Sequence, residues 1–453
     1  MTLKNALIVA VLIGVIPAAP ASAQTTQAYE AAEQAYRLQA AGDHAAALQQ
    51  ARQAVTAAPL NGEYWALLGQ EAGAVEQWTE AAEAYQRAAS LTQDGDARDY
   101  RFRAAVYSYV MAGQREAALG ILAQAASDPL VSLQGSVDWM MVAIAAGDDR
   151  LAQSLLDDGP VPDTMNRQQL LDAAYSAKRR GLDDRAVQLF RQGLARQQDG
   201  PLDAGQRAAI EREITLLANR WSLSGQIAYA ESDQPLALFN QGSTTGQTLQ
   251  GGLELGYRPF GWQNGRPLTL FGRTFVATQL NDDGLMSDVV QGWAGLQYKP
   301  LSNANLVLEA SRLIALNDAA IDDWGLRAAF SQENGLDVMR GRSDWTAWRL
   351  YGDLAYLIDA DVAYGAFEGR YGRAFNISDI IVTPHALAYA GYDSSRNDQW
   401  GTAVGGGLSA RRWLANRGVG ATPSYVDLTV QYRAGISGAE QIQGLSVVLS
   451  FGT

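Results

Sequence analysis

Two rhythms of apolar positions divide the chain. From 24 to 219 apolar residues recur at i, i+3 and i+4 in Ala-, Gln- and Leu-rich sequence; from Trp221 to Thr453 they alternate with polar residues in sequence rich in Gly, Tyr and Trp. The first spacing places one apolar stripe on a helix and the second places one apolar face on a strand. The chain therefore reads as a multidomain α+β protein, a helical module over 24–219 followed by a strand module over 220–453.

Within the helical module the pattern repeats. In the unit that starts at Gly62, residues Trp65, Leu68, Gly69, Ala81, Tyr85 and Ala88 alternate large and small at the spacing of a helix pair. One period of about 34 residues earlier, Ala47, Ala51, Ala54 and Pro59 take the equivalent places in a unit from Ala28. This resembles a tetratricopeptide repeat, in which small residues let two helices approach and large ones fill the gap. Ala117 and Pro129 fit a unit from about Arg98, Trp139 and Ala152 a degenerate pair, and Ala174, Ala186 and Phe190 a unit from about Arg167. About five helix pairs are expected, stacked as an α-solenoid in which each pair buries its core against its neighbours. On that reading Trp65, Tyr85 and Phe190 belong to the core.

Twelve strands are expected in the second module, beginning near Trp221, Gln247, Leu268, Asp288, Ala304, Asp322, Trp345, Asp361, Thr383, Gln399, Tyr425 and Ile442. Alternation is clearest at the end, where Val426, Leu428, Val430 and Tyr432 interleave with Asp427, Thr429, Gln431 and Arg433, and Leu445, Val447, Leu449 and Phe451 with Gly444, Ser446, Val448 and Ser450. Alternation alone does not say which face is buried, so a soluble sandwich or propeller competes with a membrane barrel. An even strand number, aromatic-bounded strands and room for short turns alternating with longer loops favour the closed transmembrane barrel. So does the leader over 1–23: Lys4, the apolar run Ala6 to Ile16 and the small residues Ala21, Ser22 and Ala23 have the form of a secretory signal peptide. The mature chain is expected to start at Gln24. The apolar run is too short to span a bilayer as a helix, which takes about 20 residues.

Composition narrows the chemistry. Net charge is −13, so the cationic surface that dominates nucleic-acid affinity is missing and no nucleic-acid partner is expected. Without a single Cys, thiolate zinc sites, iron–sulfur clusters and Cys nucleophiles are excluded. His44 and His385 are the only histidines, and there is no Gly-Lys pair of a phosphate loop, no GxSxG elbow and no HExxH helix. No cofactor, metal or enzyme activity is expected. A barrel hydrolase would have to use His385, which sits at an expected strand start and reads as a boundary residue; Asp359 and Asp361 read as a solvated tight turn. The helical module carries 17 basic and 26 acidic residues, with Glu63, Glu71, Glu76, Glu80 and Glu83 close together. The default reading is a solvated acidic face, and the alternative is a surface for a basic partner.

The segments DWTAWRLYGDLAYLI (344–358), FEGRYGRAFNI (367–377), TPHALAYAGYD (383–393) and SYVDLTVQYR (424–433) resemble in succession the C-terminal domain of the NfrA-type bacteriophage adsorption protein A. The resemblance is clearest from Ala310 to Thr453. It implies a periplasmic helical-repeat region joined to an outer-membrane barrel and encoded with envelope polysaccharide machinery, an arrangement similar to that of exporters of cellulose and poly-N-acetylglucosamine. This chain has a much shorter N-terminal region than the family.

If the polar strand faces line a lumen, that lumen holds Gln226, Glu254, Gln291, Trp293, Gln297, Glu309, Arg327, Arg349, Asp353, Glu368, Arg370, Asp427, Gln431 and Arg433. Mixed carboxylates, guanidiniums and amides offer many weak, exchangeable hydrogen bonds to a hydroxyl-rich polymer; alternatively they neutralise one another in a closed lumen. The leading expectation is an outer-membrane component of exopolysaccharide secretion. Its repeats would dock the polymer, its synthase complex or other periplasmic proteins, and its barrel, held in outer-membrane lipid, would form the outward path. The alternative is a non-conducting anchor, assembly scaffold or bacteriophage receptor, favoured by the narrowness of twelve strands.

Overall fold

The computed structural model describes residues 21–157, 164–231, 247–281, 284–336, 343–378, 380–395, 399–414, 424–438 and 442–453. All but the last three residues of the expected leader lie outside them; Ala21 opens the first helix. Among the described residues, eleven α-helices precede twelve β-strands. Helix gives way to strand between Ala218 and Trp221, whereas the chain divides into compact units earlier, as Met1–Met165 and Asn166–Thr453.

The first unit holds α1 (Ala21–Ala40), α2 (His44–Ala57), α3 (Gly62–Ala74), α4 (Trp78–Leu91), α5 (Gly95–Met111), α6 (Arg115–Ala126), α7 (Val137–Ala146) and α8 (Asp149–Asp157). Polar side chains start several of them: Asp43 accepts from Ala46 N, and Asn61 from Glu63 N and Tyr64 N, satisfying donors the helix leaves open. Alanine makes the interhelical seams. Ala47, Ala51 and Ala54 of α2 and Ala81 and Ala88 of α4 are fully buried. A Cβ on Gly69 would lie 2.9 Å from the Tyr85 ring, so the small residue of α3 is what admits the large one of α4. Trp139 and Ala152 of the degenerate pair are buried too. In the third pair the buried seam residue is Ala118, with Ala117 half-buried, and α5 starts at Gly95 rather than near Arg98. The five clustered glutamates are not one solvated face. Glu71 is buried and bonded to Gln39 and His44, Glu63 pairs with Arg101 and Glu80 with Arg52; Glu76 and Glu83 are exposed.

The second unit begins with the fifth helix pair, α9 (Arg167–Arg179) and α10 (Asp183–Ala195), then α11 (Ala204–Ala218). Capping boxes on Asn166 and Asp203 open α9 and α11. The strands are β1 (Trp221–Ala230), β2 (Gln247–Tyr257), β3 (Leu268–Asn281), β4 (Gly284–Tyr298), β5 (Asn305–Ala315), β6 (Asp323–Asn334), β7 (Asp344–Leu357), β8 (Val362–Ile377), β9 (Ile380–Asp393), β10 (Trp400–Leu414), β11 (Ser424–Ser437) and β12 (Gly444–Gly452). Each pairs antiparallel with its sequence neighbours, and β12 closes on β1 through Ser224↔Gly452 to Ala230↔Ser446. No edge is left unpaired among the described strands.

Side-chain direction settles the question that alternation left open. Leu253, Leu255, Leu326, Leu354, Leu408, Leu428 and Leu449 point outward and are exposed, while their polar neighbours point in. That is the inverse of a soluble sandwich and the arrangement of a barrel in lipid. Trp221, Tyr298, Phe375 and Phe451 ring the near rim, where β1 begins and β12 ends; Trp324, Tyr356 and Trp400 ring the far one. No described helix is long and apolar enough to cross a membrane; the crossing is made by strands. The spacing between consecutive strands does not alternate short and long: β3 and β4, and β8 and β9, follow one another almost directly, whereas β1 and β2, and β2 and β3, are widely separated in sequence.

Candidate functional site

The lumen is where polar side chains concentrate, and its occupants come from the inward register of nearly every strand. All fourteen residues read from the sequence as lumen-facing occupy inward positions. They are joined there by Arg273, Tyr351, Asp323 and Arg411, which the sequence reading passed over.

One network crosses six strands, β2 to β7. Arg273 of β3 donates to Glu254 of β2 at 2.5 and 2.8 Å and to Glu309 of β5 at 3.1 Å. Arg327 of β6 donates to Glu309 at 3.2 Å and grips Asp353 of β7 through Nε and Nη2 at 2.8 and 2.6 Å. Tyr351 closes the chain on Asp353 at 2.5 Å, and Gln297 of β4 bridges Glu254 and Glu309. Asp353 is 0% exposed. A carboxylate so far from water is sustained only by full pairing, and the fork of Arg327 provides two parallel bonds. Three carboxylates here meet two guanidiniums.

A second group lies across β7 to β11. Glu368 of β8 accepts from Arg370 at 2.6 Å and from Arg433 at 2.7 Å; the Arg433 guanidinium stands 4.0 Å from the centre of the Tyr389 ring. Arg411 of β10 donates to Asp427 of β11 at 2.9 Å, and Thr429 donates to the same carboxylate at 3.0 Å. Gln291 holds the backbone of the 316–322 connection instead, through Ile314 O, Ile321 O and Ile321 N.

Apolar side chains fill the lumen on either side of the ions. Leu313, Ala355, Leu357, Tyr364, Leu387, Tyr389, Ala403 and Ile442 form one buried cluster with Phe275 and Trp293, most of them close to the far-rim ends of their strands. Trp345, Ala347, Ala374 and Ile381 form another near the opposite ends of β7 to β9, with Leu336 and Trp413 packed on it. Ser224, inward at the near-rim end, remains exposed, whereas the inward positions of the two clusters are buried.

Two expectations about single residues change. His385 is not at a boundary: it is the sixth residue of β9, faces the lumen and is 8% exposed. Pro384 is tolerated before it because the β8–β9 ladder is interrupted there, pairing Gly372↔His385 and then Phe375↔Val382, so its missing N–H breaks no bond on that side. The Asp359–Asp361 turn forms as expected, with Asp361 left-handed at φ 55°, but its organiser is Asp323, whose carboxylate accepts from Asp359 N and Ala360 N. No group of three or more His, Asp or Glu side chains suited to a metal occurs among the described residues.

At the near rim the last helix pair is locked to the barrel. Asp183, at the start of α10, accepts from Trp262 N at 2.5 Å and Gln263 N at 3.1 Å in the β2–β3 connection, and Gln263 donates back to Gly181 O. Burial raises the Asp183 pKa, against the pull of those two N–H groups and of Arg220. Gly261 has φ +79° and a Cβ there would lie 2.3 Å from Asp183 Oδ2. Gly261→Ala should therefore cost more than the roughly 1–2 kcal/mol of a left-handed L-residue. The expected result is at least about tenfold faster amide exchange in α9 and α10 with β5 to β12 unchanged; equal exchange in both proteins would refute the lock.

Residues 282–448 match the family model described as Bacteriophage N adsorption protein A C-term. The matched segment thus runs from just before β4 into β12 and contains the second ionic group entirely, together with Glu309, Arg327 and Asp353 of the first. No curated protein matches the chain. Among solved structures, the helices are similar to YrrB, a TPR protein with an unusual peptide-binding site, at 16% identity over 40% of this chain and 95% of that one, TM-score 0.30. They are also similar to pilF of Pseudomonas aeruginosa at 19% identity over 40% and 81%, TM-score 0.31. The COG4313 outer membrane channel of Pseudomonas putida F1 is similar at 12% identity over 51% of this chain and 94% of that one, TM-score 0.30.

Proposed function

We propose that the chain is an outer-membrane anchor whose barrel does not conduct, and that its helical repeats face the periplasm and dock protein partners of envelope exopolysaccharide secretion. The observation that carries this reading is the occupied lumen: charges that a transport path would offer to a passing polymer are spent on one another, as in Glu254–Arg273–Glu309–Arg327–Asp353, and apolar clusters cap them. Exchangeable binding needs groups that are open to solvent, and Gln431 and Arg433 are only 2% and 4% exposed. Support for the envelope role comes from the adsorption-protein-A match over 282–448; support for docking comes from stacked helix pairs, whose geometry creates extended partner surfaces. The reading assigns no catalytic role to His385. Purified full-length protein inserted in a planar bilayer is expected to give no steady conductance. Regular channel steps, blocked by added polymer, would overturn the anchor reading and restore a polymer path.

A further inference from the structure

Beside the second ionic group lies a cavity of about 30 Å³ lined by Arg349, Arg370, Arg411, His385, Thr383 and Asp427. Arg349 and Arg370 are direct cross-strand partners on β7 and β8, and like charges directly opposite repel. Nearby carboxylates do not resolve that repulsion. Glu368 is engaged by Arg370 and Arg433, and Asp427 by Arg411. Glu333, half-exposed, stands 3.8 Å from both Arg349 and Arg411. Four guanidiniums thus meet three carboxylates, and Arg349 is the most weakly held: Glu333 reaches its Nε only at 3.8 Å and the Tyr351 ring lies 5.9 Å from its guanidinium, while that Nε, like Nε2 of His385, is buried without a hydrogen bond. The Arg349 side chain is about a third exposed (37%), so water screens part of its charge, and the cross-strand repulsion from Arg370 is relieved further by an anion between the two.

We propose that this cavity binds a small tetrahedral oxyanion, phosphate or sulfate, which bridges Arg349 and Arg370. A guanidinium fork presents parallel N–H donors that match such an ion bidentately, and the Thr383 hydroxyl and His385 ring add polar groups to the same wall. The volume exceeds the roughly 10–15 Å³ that one water occupies by this measure and holds a group of a few atoms. A sugar ring does not fit, so the ion enters free rather than as a substituent on a glycan. The site is independent of the anchor reading, because an open or a closed barrel would gain equally from neutralising Arg349.

The test is thermal unfolding of the full-length protein in detergent micelles, with potassium phosphate, potassium sulfate or potassium chloride at matched ionic strength. Wild type is expected to gain a saturable rise in midpoint with phosphate and sulfate but not with chloride. Arg349→Gln should unfold at or above the wild-type midpoint in chloride, since the like-charge pair is gone, and lose the phosphate response; its phosphate affinity should fall at least about tenfold. Arg266→Gln, on the exposed rim, should keep the response. An identical phosphate shift in wild type and Arg349→Gln would overturn the site. Should Arg349→Gln not insert, calorimetric titration of wild type with sulfate decides, and the absence of saturable heat overturns it. Glucose 6-phosphate should not compete; competition would overturn the assignment to a free ion.

Discussion

Replacing Arg327 with methionine is expected to destabilise the barrel by about 3–5 kcal/mol, the range for breaking one partner out of a buried ion pair. The side chain holds Asp353 through two bonds and Glu309 through a third, and both carboxylates are almost wholly buried. Methionine fills much of the volume, so packing is largely kept and the loss is electrostatic. Two carboxylates would then face a low-dielectric interior with Arg273 and Tyr351 as their remaining strong partners. The cost should be largely recovered in Arg327→Met/Asp353→Leu, because exchanging a whole buried pair for apolar groups is close to neutral. Denaturant midpoints of the barrel refolded into lipid vesicles measure both. If the double variant is as unstable as the single one, the bonds to Asp353 are not the source of the loss. If the single variant matches wild type, the network does not hold the strands together.

That network shows which part of the site the sequence carried. A charged residue in the middle of an apolar-alternating strand can only face inward, and that rule placed Arg327, Asp353, Glu368 and Arg433 on the lumen side. Partnership was not legible, because it depends on register between strands far apart in sequence. Arg273 was passed over for a different reason: in β3 both faces are apolar, with Leu270 and Val276 outward and Phe271 and Phe275 inward, so alternation gave no phase. The apolar clusters escaped notice on the same ground. Leu313, Leu357 and Leu387 lie inside, although a lumen was expected to be polar, and a filled lumen needs apolar volume as well as paired charge. By contrast, the switch from helix to strand, the five helix pairs, the strand count and most strand starts followed from periodicity and turn residues. The largest errors in strand starts, at β4 and β9, occur where the first residues, Gly284-Leu285-Met286 and Ile380-Ile381-Val382, do not alternate apolar with polar.

Glycine supplies the last contrast and the second large effect. Gly405→Ala is expected to prevent assembly of the barrel or to cost several kcal/mol, beyond the ordinary overpacking range of about 1–3 kcal/mol. A Cβ at Gly405 would stand 1.9 Å from Tyr432 O, and the obstacle is backbone, which no rotamer change relieves. Gly295, Gly372 and Gly407 share the feature, each with a Cβ position under 3 Å from a carbonyl of the neighbouring strand, and all four lie on inward positions. Glycines at such places let strands bend and approach as the wall curves around a packed interior. Gly272 sits in the middle of β3 and faces outward, with nothing nearer than 4.0 Å to an added Cβ. Gly272→Ala should therefore be neutral or stabilising by up to about 1 kcal/mol through the unfolded chain. Folding yield into vesicles and the heat-dependent shift of the folded band in gel electrophoresis compare the pair. Equal behaviour of the two alanine variants would mean that inward glycines do not shape this barrel; failure of Gly405→Ala beside normal assembly of Gly272→Ala would tie the curvature of the wall to backbone contact between β10 and β11.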